Sequence, residues 1–502
     1  MPSTQPLPKV KAEFDIVETT IADIHAAYKT GSLTVRQLVQ MYLDRVAFYD
    51  KKGPAINAII SLNPHALEEA DRLDAQFKRT GFIGPLHGVP IIIKDQADGR
   101  GMPTTLGSVL FENYMPERDC FVVCKLKKAG AILLAKSTLG ELGGGDTHGS
   151  LFGSTRNVYD LERTAGGSSG GSGASVSANF CAVAIGQEGF ASIRRPSAWN
   201  GVAGMRPTMG LVSRTGVYGG WPTTNGSLGP MARTVTDLAK LLDAMVGYDS
   251  NDPVTSHAVG SIAESYSTAL DRGALKVARL GILRESIGFA AEPDSEDFKK
   301  VSEVFDRAVS DLRKAGAEIV DPVVIPDLAA LLAKRARNVQ DDDAMFEHYF
   351  RGGKAPFATR AAAMASPLFQ QVVNSARRRW SAPSSATQEL DYLRARDALM
   401  INMLKVMADH RLDAIVHKAV EHQPTLIRDG VNPPHVDQKG APHINTFLKF
   451  VPSIVVPAGL TRDNLPVGIT FLGQPYCDAR MIQLAYAYEQ ATQHRRAPPF
   501  TS

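Results

Sequence analysis

Residues 164–175 read TAGGSSGGSGAS, which places five glycines and five serine or threonine residues in twelve positions. Such a run is typical of a flexible linker, of a phosphate-binding loop or of a turn that carries a catalytic serine. The run continues directly into VSANFCAVAIGQEG, residues 176–189, which is largely apolar and must pack in a protein interior. A linker is therefore disfavoured, because linkers have polar, unpatterned flanks.

Two functional motifs come close to matching this run. A Walker phosphate loop requires a lysine after its second glycine, whereas Ser172 follows Gly171 here. The nucleophile elbow of an α/β-hydrolase has the pattern G-x-S-x-G, which residues 166–170 satisfy, and histidines are available downstream between positions 410 and 443. The residues DLERTA that lead into the run are not the apolar strand that precedes an elbow. An α/β-hydrolase-type esterase stays a lesser alternative.

The composition argues against several classes of partner. The 502 residues carry a formal net charge of +3, which gives no electrostatic basis for binding nucleic acid or an anionic membrane. The N-terminal residues MPSTQPLPKVKAEFD lack the apolar segment of a signal peptide, and no run of eighteen apolar residues occurs. Four scattered cysteines predict neither a disulfide framework nor a metal clip. We expect a cytoplasmic monomer or homodimer with a small-molecule substrate, no nucleic-acid partner and no membrane partner.

Apolar periodicity predicts an alternation of helices and buried strands. Residues 32–46, SLTVRQLVQMYLDRV, place an apolar stripe behind a capping box formed by Thr34 and Gln37. Residues 87–96, HGVPIIIKDQ, predict a strand that is buried on both faces and ends in Lys94. Further helices are predicted near 64–79, 118–129, 295–315 and 478–493, and further strands near 131–136, 276–283, 317–325, 453–459 and 467–473. This alternation indicates an α/β architecture with parallel strands.

Residues 326–430 differ from the rest of the chain. They are charged, rich in alanine and arginine, and poor in strand signals. We interpret them as a helical insertion or cap on the α/β core, a place where substrate pockets are often completed. No internal repeat and no proline-rich linker divides the sequence, so we expect one domain that spans residues 1–502.

Four ordered motifs carry a resemblance to a known family. They are GVPIIIKD at 88–95, TAGGSSGGSGASVSA at 164–178, ASIRRPSAWNGVAGMRPT at 191–208 and GPMARTVTDLA at 229–239. In order and spacing they resemble the amidase signature family of amide hydrolases, and the C-terminal stretch 451–475 is also similar. The resemblance implies a signature core near residues 80–250 and a large mixed, mostly parallel, twisted sheet surrounded by helices.

The resemblance also implies a catalytic triad. By position it consists of Lys94, Ser168 held by a cis peptide, and the nucleophile Ser192. An exposed lysine is a poor base at neutral pH, so this chemistry requires burial of Lys94 without a firmly paired anion. Neutral Lys94 would then accept a proton from Ser168 while Ser168 accepts one from Ser192, and the reverse path would protonate the leaving amine. No metal and no organic cofactor is implied.

The loop before the nucleophile departs from the family pattern. Most members have a sequence like T-D-x-G-G-S, whereas this chain has QEGFAS at 187–192. The resemblance implies an oxyanion hole made of backbone N–H groups at Gly189, Phe190, Ala191 and Ser192. Phe190 and Ala191 keep these donors, but they add side chains where glycine permits close approach. The departure bears on the substrate more than on the chemistry.

Further site residues are expected around this triad. Ser169 and Arg194 match supporting positions of the family, and a partly aromatic pocket is predicted. The residues expected to line it are Phe190, Tyr218, Trp221, Gly144 and His148. The sequence therefore predicts an amidase that cleaves the C–N bond of small, largely neutral amides, which are anilides, primary amides or carbamates. The alternatives are an amidase-like component of a glutamine-dependent aminoacyl-tRNA amidotransferase and a catalytically silent family member.

Overall fold

The computed structural model describes residues 14–219, 226–336, 339–351 and 353–499. Its strands are β1 (Ile59–Leu62), β2 (Pro90–Lys94), β3 (Ile132–Ser137), β4 (His148–Gly149), β5 (Gly153–Ser154), β6 (Val183–Glu188), β7 (Ala203–Arg206), β8 (Ser227–Ala232), β9 (Arg279–Leu283), β10 (Gly288–Phe289), β11 (Glu318–Val323), β12 (Ala414–Lys418), β13 (Ala441–Pro442), β14 (Ser453–Leu460) and β15 (Pro466–Leu472).

The helices lie on and around these strands. They are α1 (Ile21–Thr30), α2 (Val35–Tyr49), α3 (Ala66–Thr80), α4 (Phe121–Lys128), α5 (Gly170–Ser177), α6 (Arg194–Trp199), α7 (Val235–Met245), α8 (Glu296–Lys314), α9 (Leu328–Leu332), α10 (Val339–Phe350), α11 (Arg360–Ala365), α12 (Asn374–Ser381), α13 (Ala386–Asp409), α14 (Ile427–Val431) and α15 (Asp478–Thr492).

One large sheet organises the chain. Within the described residues it contains eleven strands in the order β1-β3-β2-β6-β8-β7-β14-β15-β12-β9-β11. Strands β2, β3 and β6 are buried along nearly their whole length because helices cover the sheet. The predicted fold class, a mixed sheet surrounded by helices, is confirmed.

The share of parallel pairing is smaller than the sequence suggested. Of the ten neighbouring pairs in the described sheet, four are parallel, β2 with β3, β2 with β6, β9 with β12 and β9 with β11. The centre of the sheet is antiparallel, and it includes the hairpin of β14 and β15. A continuous apolar run indicates that a strand is buried on both faces, but it does not indicate the direction of the strand. The direction depends on the connection: the five residues 461–465 between β14 and β15 are too few to join parallel neighbours.

Local sequence signals place several elements where they were predicted. Helix α2 begins behind the capping box, in which Thr34 Oγ1 accepts from the N–H of Gln37 and the Gln37 side chain accepts from the N–H of Thr34. Helices α3, α4, α8 and α15 and strands β2, β3, β9, β11, β14 and β15 match the predicted segments within a few residues.

The predicted helical insertion is real but shorter than expected. Helices α9 to α13 lie between Leu328 and Asp409, and the chain then enters β12, which lies in the large sheet between β15 and β9. The prediction extended the insertion to residue 430 because the short run AIVHK contains a histidine and a lysine, which weaken its strand signal. An aromatic cluster that includes Phe111, Phe346, Phe350 and Trp380 packs helices α10 and α12 onto the loop before α4.

Candidate active site

Two parallel strands bring the predicted catalytic residues to one edge of the sheet. Strands β2 and β6 are hydrogen-bonded neighbours, with Ile93 opposite Ile185. Parallel strands end at the same edge, so Lys94 at the end of β2 lies beside residues 189–192, which follow β6. Ser168 comes from the glycine-rich loop just before α5, a helix that packs against β6. The stretch 164–175 is thus neither a linker nor a turn after a strand, because it consists of this loop and the beginning of α5.

The three side chains form a continuous chain of short contacts. Lys94 Nζ donates a hydrogen bond of 2.6 Å to Ser168 Oγ. Ser168 Oγ lies 3.0 Å from Ser192 Oγ and 3.0 Å from the carbonyl oxygen of Gly143. Lys94 and Ser168 are fully buried, whereas Ser192 keeps 9% of its surface exposed. These distances permit proton transfer along the chain, and its outermost serine is the one that a substrate can reach.

Lys94 is a buried lysine without an ion pair in the part of the chain that the structure describes. Burial lowers its pKa well below the ordinary value, the charge of Glu188 opposes this shift and Arg379 adds to it. A second buried lysine, Lys136, shows the opposite arrangement, because its Nζ lies 2.6 Å from the Asp95 carboxylate. Asp95 follows Lys94 directly in sequence, but its carboxylate pairs with Lys136 on the neighbouring strand β3. Lys94 therefore has the environment of a neutral base.

The loop that carries Ser168 is held by an arginine that follows the nucleophile. The peptide bond between Gly167 and Ser168 is cis. The Gly167 carbonyl accepts from Arg195 Nη2 at 2.8 Å and from Arg195 Nε at 3.1 Å. Arg195 also forms an ion pair of 2.9 Å with Asp146, and both side chains are almost fully buried. Arg195 lies in the quoted motif at 191–208, and the structure gives it a definite contact with the catalytic loop.

The predicted supporting residues stabilise the backbone around the nucleophile. Ser169 Oγ donates to the Gln187 carbonyl and accepts from the Gln187 N–H, each at 3.2 Å. Arg194 Nε donates to Glu188 Oε1 at 2.7 Å, and Arg194 Nη2 donates to the Phe190 carbonyl at 2.8 Å. The other Glu188 oxygen accepts the N–H groups of Ile193 and Arg194. These contacts fix the turn from β6 into α6, and the sequence analysis did not single out Glu188.

The N–H groups of the predicted oxyanion loop are available. Among the hydrogen bonds of the described residues, none uses the backbone N–H of Gly189, Phe190, Ala191 or Ser192 as donor. Unused buried N–H groups are rare in folded proteins. Ala191 and Ser192 are buried, and Gly189 and Phe190 are half-buried. A loop that presents several unused N–H groups beside a serine hydroxyl is suited to bind a carbonyl oxygen.

A cavity of about 830 Å³ opens beside this loop. Gly189, Leu142 and Tyr218 line it on the core side, and helices α9, α12 and α13 line it from the insertion. Of the predicted pocket residues, Tyr218 is therefore part of the wall. The Phe190 ring packs 4.2 Å from the guanidinium of Arg335 and next to Phe289 and His443, three residues that line the cavity.

The other predicted pocket residues are placed differently. Gly144 packs against the Arg379 guanidinium, and a Cβ at position 144 would lie only 2.8 Å from the guanidinium carbon. His148 is not among the residues that line the cavity: its Nδ1 lies 2.8 Å from Ser154 Oγ, and burial lowers its pKa to about 4. Trp221 lies outside the described residues. The arginines that do line the cavity, 335, 360, 379 and 396, were indicated only by the arginine-rich composition of the insertion.

No group of three or more His, Cys, Asp or Glu side chains that could hold a metal ion occurs among the described residues. Over the same residues, no helix combines the length and the apolar character that a membrane span needs.

Comparison with known proteins agrees with this geometry. The family model described as Amidase matches residues 37–482. A probable amidase of Arabidopsis thaliana is 31% identical, with 98% of this chain and 93% of the relative covered. One component of the Glutamyl-tRNA(Gln) amidotransferase of Methanosarcina barkeri is also 31% identical, with 96% of this chain and 98% of the relative covered.

A solved structure shows the same fold. The native peptide amidase of Stenotrophomonas maltophilia superposes with a TM-score of 0.85 at 33% identity, and the match covers 97% of this chain and 99% of that chain. The family match extends over most of the sequence and includes every motif quoted above. The chain therefore belongs to the amidase family, the amidase signature enzymes.

Proposed function

We propose that this protein hydrolyses the C–N bond of small amides through an acyl-enzyme on Ser192. The observation that carries the proposal is the chain of contacts from Lys94 through Ser168 to Ser192, of 2.6 Å and 3.0 Å. The lysine at its inner end is buried and forms no ion pair with any residue that the structure describes. Anilides, primary amides and carbamates are the proposed substrates, because all three contain a neutral carbonyl attached to nitrogen.

The first half of the reaction forms the acyl-enzyme. Neutral Lys94 accepts the Ser168 proton while Ser168 accepts the Ser192 proton, and Ser192 Oγ attacks the substrate carbonyl. The carbonyl oxygen becomes negative and is bound by the free N–H groups between Gly189 and Ser192. The proton then returns from Lys94 through Ser168 to the amide nitrogen, and the amine leaves. In the second half, water attacks the acyl carbon after giving its proton to the same relay, and Ser192 is restored.

A lysine relay suits C–N cleavage. An amine is a poor leaving group until it is protonated. After acylation begins, Lys94 holds the proton, and the two short contacts through Ser168 to Ser192 lead it back to the amide nitrogen. The Gly143 carbonyl offers the Ser168 hydroxyl a resting acceptor at 3.0 Å, which keeps that hydroxyl oriented between turnovers.

The test combines active-site labelling with a substrate panel. We expect phenylmethylsulfonyl fluoride to modify Ser192, as read by mass spectrometry of the digested protein, and we expect turnover of at least one anilide, primary amide or carbamate. Ser192→Ala should abolish both results. The control is Ser175→Ala, which removes a buried hydroxyl on α5 that has no hydrogen-bond partner among the described residues. Label on Ser168 would support the esterase alternative instead, and neither label nor turnover would support a silent family member.

A second candidate function is that of one component of an amidotransferase complex. It is favoured by the relative from Methanosarcina barkeri, which is named as part of a Glutamyl-tRNA(Gln) amidotransferase and matches over 96% of this chain. The Phe190-Ala191 pair in the oxyanion loop and the small net charge weigh against it. Glutamine hydrolysis that appears only after addition of partner proteins would support this candidate over a stand-alone amidase.

A further inference from the structure

The walls of the cavity carry an uneven distribution of charge. Four arginines line it, at positions 335, 360, 379 and 396, together with the carboxylates of Asp341, Asp342 and Glu389. All seven belong to the insertion or to the segments that flank its helices. The small net charge of the whole chain therefore says little about the surface that meets the substrate.

Two of these arginines already have their contacts inside the protein. Arg360 Nε donates to Asp343 at 2.5 Å, and its Nη1 donates to the Trp380 carbonyl at 2.9 Å. Arg379 Nη2 donates to the Glu141 carbonyl at 2.7 Å. These side chains hold helices α11 and α12 in place.

Arg396 is different. It lies on α13 with only 8% of its surface exposed, and its Nη2 has no hydrogen-bond partner among the described residues. Its guanidinium carbon is 5.8 Å from the centre of the Tyr392 ring, one helical turn away on the same face. A buried guanidinium nitrogen without an acceptor is unfavourable, and a ligand in the cavity that Arg396 lines can supply an acceptor to this side chain.

Arg335 lies nearer to the reaction site. Its guanidinium stacks 4.2 Å from the Phe190 ring, and Phe190 is two residues before the nucleophile. Across the described residues, no ion pair joins Arg335 or Arg396 to Asp341, Asp342, Glu389 or any other acid. The cavity thus presents two arginine side chains, a buried one at Arg396 and an exposed one at Arg335, that form no ion pair within the described part of the chain.

We propose that this cavity selects amides that carry a carboxylate at the end remote from the scissile bond, with Arg396 as its main ligand and Arg335 as a second. The inference rests on the proposed amide hydrolysis and refines it: the substrate is neutral at the reacting bond and anionic at one end. A carboxylate fits the guanidinium fork with two parallel hydrogen bonds, which a neutral group of the same shape cannot form.

A binding experiment tests this inference without catalysis. In the Ser192→Ala protein, calorimetry compares benzoate with benzamide, which have the same shape but differ in charge. We expect benzoate to bind at least tenfold more tightly, and Arg396→Gln to remove that preference while leaving benzamide binding unchanged. The unchanged benzamide affinity shows that the cavity of the variant is folded.

Arg394→Gln is the matched control. Arg394 lies on the same helix, but its side chain is 72% exposed and pairs with Asp391 at the surface. We expect this variant to keep the preference for benzoate. Equal affinity for the two probes, or a preference that survives the double variant Arg396→Gln with Arg335→Gln, would overturn the proposal.

Substrate pairs extend the test to turnover. On the leaving-group side, 4-acetamidobenzoate is compared with 4-methylacetanilide; on the acyl side, N-phenylsuccinamate is compared with N-phenylpentanamide. We expect kcat/KM to favour the anionic member of at least one pair by tenfold or more, and Arg396→Gln to abolish the difference. If no anilide, primary amide or carbamate is turned over, the proposed function fails, while the binding experiment still decides on the anion site.

Discussion

Arg195 Nε and Nη2 both donate to the carbonyl oxygen of Gly167, at 3.1 Å and 2.8 Å, and that carbonyl belongs to the peptide that leads into Ser168. The nucleophile-bearing segment and the relay serine are therefore joined through a fork of hydrogen bonds as well as through their hydroxyl groups. Because Arg195 also pairs with Asp146, it connects the segment after the nucleophile with the loop that carries Ser168 and with the loop around Asp146.

Removal of this fork should lower kcat more than it raises KM. We predict a decrease in kcat of roughly 10²-fold for Arg195→Met combined with Asp146→Asn, since a small displacement of a catalytic group has effects of that size. Asparagine at 146 avoids leaving a buried carboxylate without its partner. Steady-state kinetics on an anilide measure the effect.

Arg233→Met serves as the control for the loss of a buried arginine. Arg233 also donates to backbone carbonyls, those of Thr19, Val176 and Cys181, but it lies beyond the opposite end of β6. We expect a lower melting temperature and an unchanged kcat for the folded fraction. If both arginine variants lose kcat in proportion to melting temperature, Arg195 has only a structural role.

Replacement of Lys94 by alanine should affect amides more than esters. We predict a loss of about 10²–10⁴-fold in kcat/KM for an anilide and a smaller loss for the matching phenyl ester, because an ester leaving group needs less protonation. Equal losses for both substrates would contradict a relay in which Lys94 supplies the proton to the leaving amine.

The pH dependence of the reaction should follow the neutral form of Lys94. Burial lowers the pKa of Lys94 well below the ordinary value of 10.5, and only the deprotonated amine can accept a proton. We therefore predict that kcat/KM increases with pH and reaches its plateau well below pH 10.5. A decrease of kcat/KM with rising pH through the neutral range would count against Lys94 as the base.

The burial of Lys94 should also lower the free energy of unfolding at neutral pH, and proton linkage gives the direction in which this effect changes with pH. Between the lowered pKa of folded Lys94 and 10.5, the unfolded chain binds more protons than the folded one, so this residue makes stability rise with pH. We predict that Lys94→Met raises the melting temperature at neutral pH and that the difference shrinks as the pH approaches 10.5. Thermal unfolding at several pH values measures it, and a lower melting temperature at neutral pH would contradict the prediction.

Phe190 should restrict the size of the group beside the oxyanion loop. Its ring lies among Arg335, Phe289 and His443 at the cavity wall. We predict that Phe190→Ala increases kcat/KM for bulky acyl anilides relative to acetanilide by roughly tenfold. Acetanilide is the internal control, and no change in this ratio would indicate that the ring faces away from the substrate.

The structure brings together the three side chains that the sequence analysis named for the chemistry, but only some of those that it named for the cavity wall. The motif order located Lys94, Ser168 and Ser192, the cis peptide at Ser168 is present, and the apolar run before Lys94 predicted its burial. The burial of Lys94 follows from a local pattern, whereas the triad and the cis peptide were implied by the family resemblance. Tyr218, which lies between the third and the fourth quoted motif, also lines the cavity.

The remaining features depend on contacts between segments that are distant in sequence. Arg396 faces the cavity only because α13 packs across it from about 200 residues beyond the nucleophile, and no local pattern distinguishes it from the exposed Arg394. His148 was expected in the pocket because glycines surround it in the sequence, but Ser154 and Gly430 enclose it elsewhere. The antiparallel centre of the sheet was missed because apolar runs do not encode strand direction.

The cavity wall and the proton relay come from separate parts of the chain. The relay comes from the end of β2, the loop before α5 and the loop after β6, while much of the opposing wall is supplied by helices α9, α12 and α13. Apart from Arg379, whose charge helps to lower the pKa of Lys94, the wall residues of those helices can change without disturbing the hydroxyl and amine groups that break the bond. An ancestral hydrolase with this layout could acquire new substrates through changes in one contiguous segment, which makes the insertion the natural target for laboratory evolution of specificity.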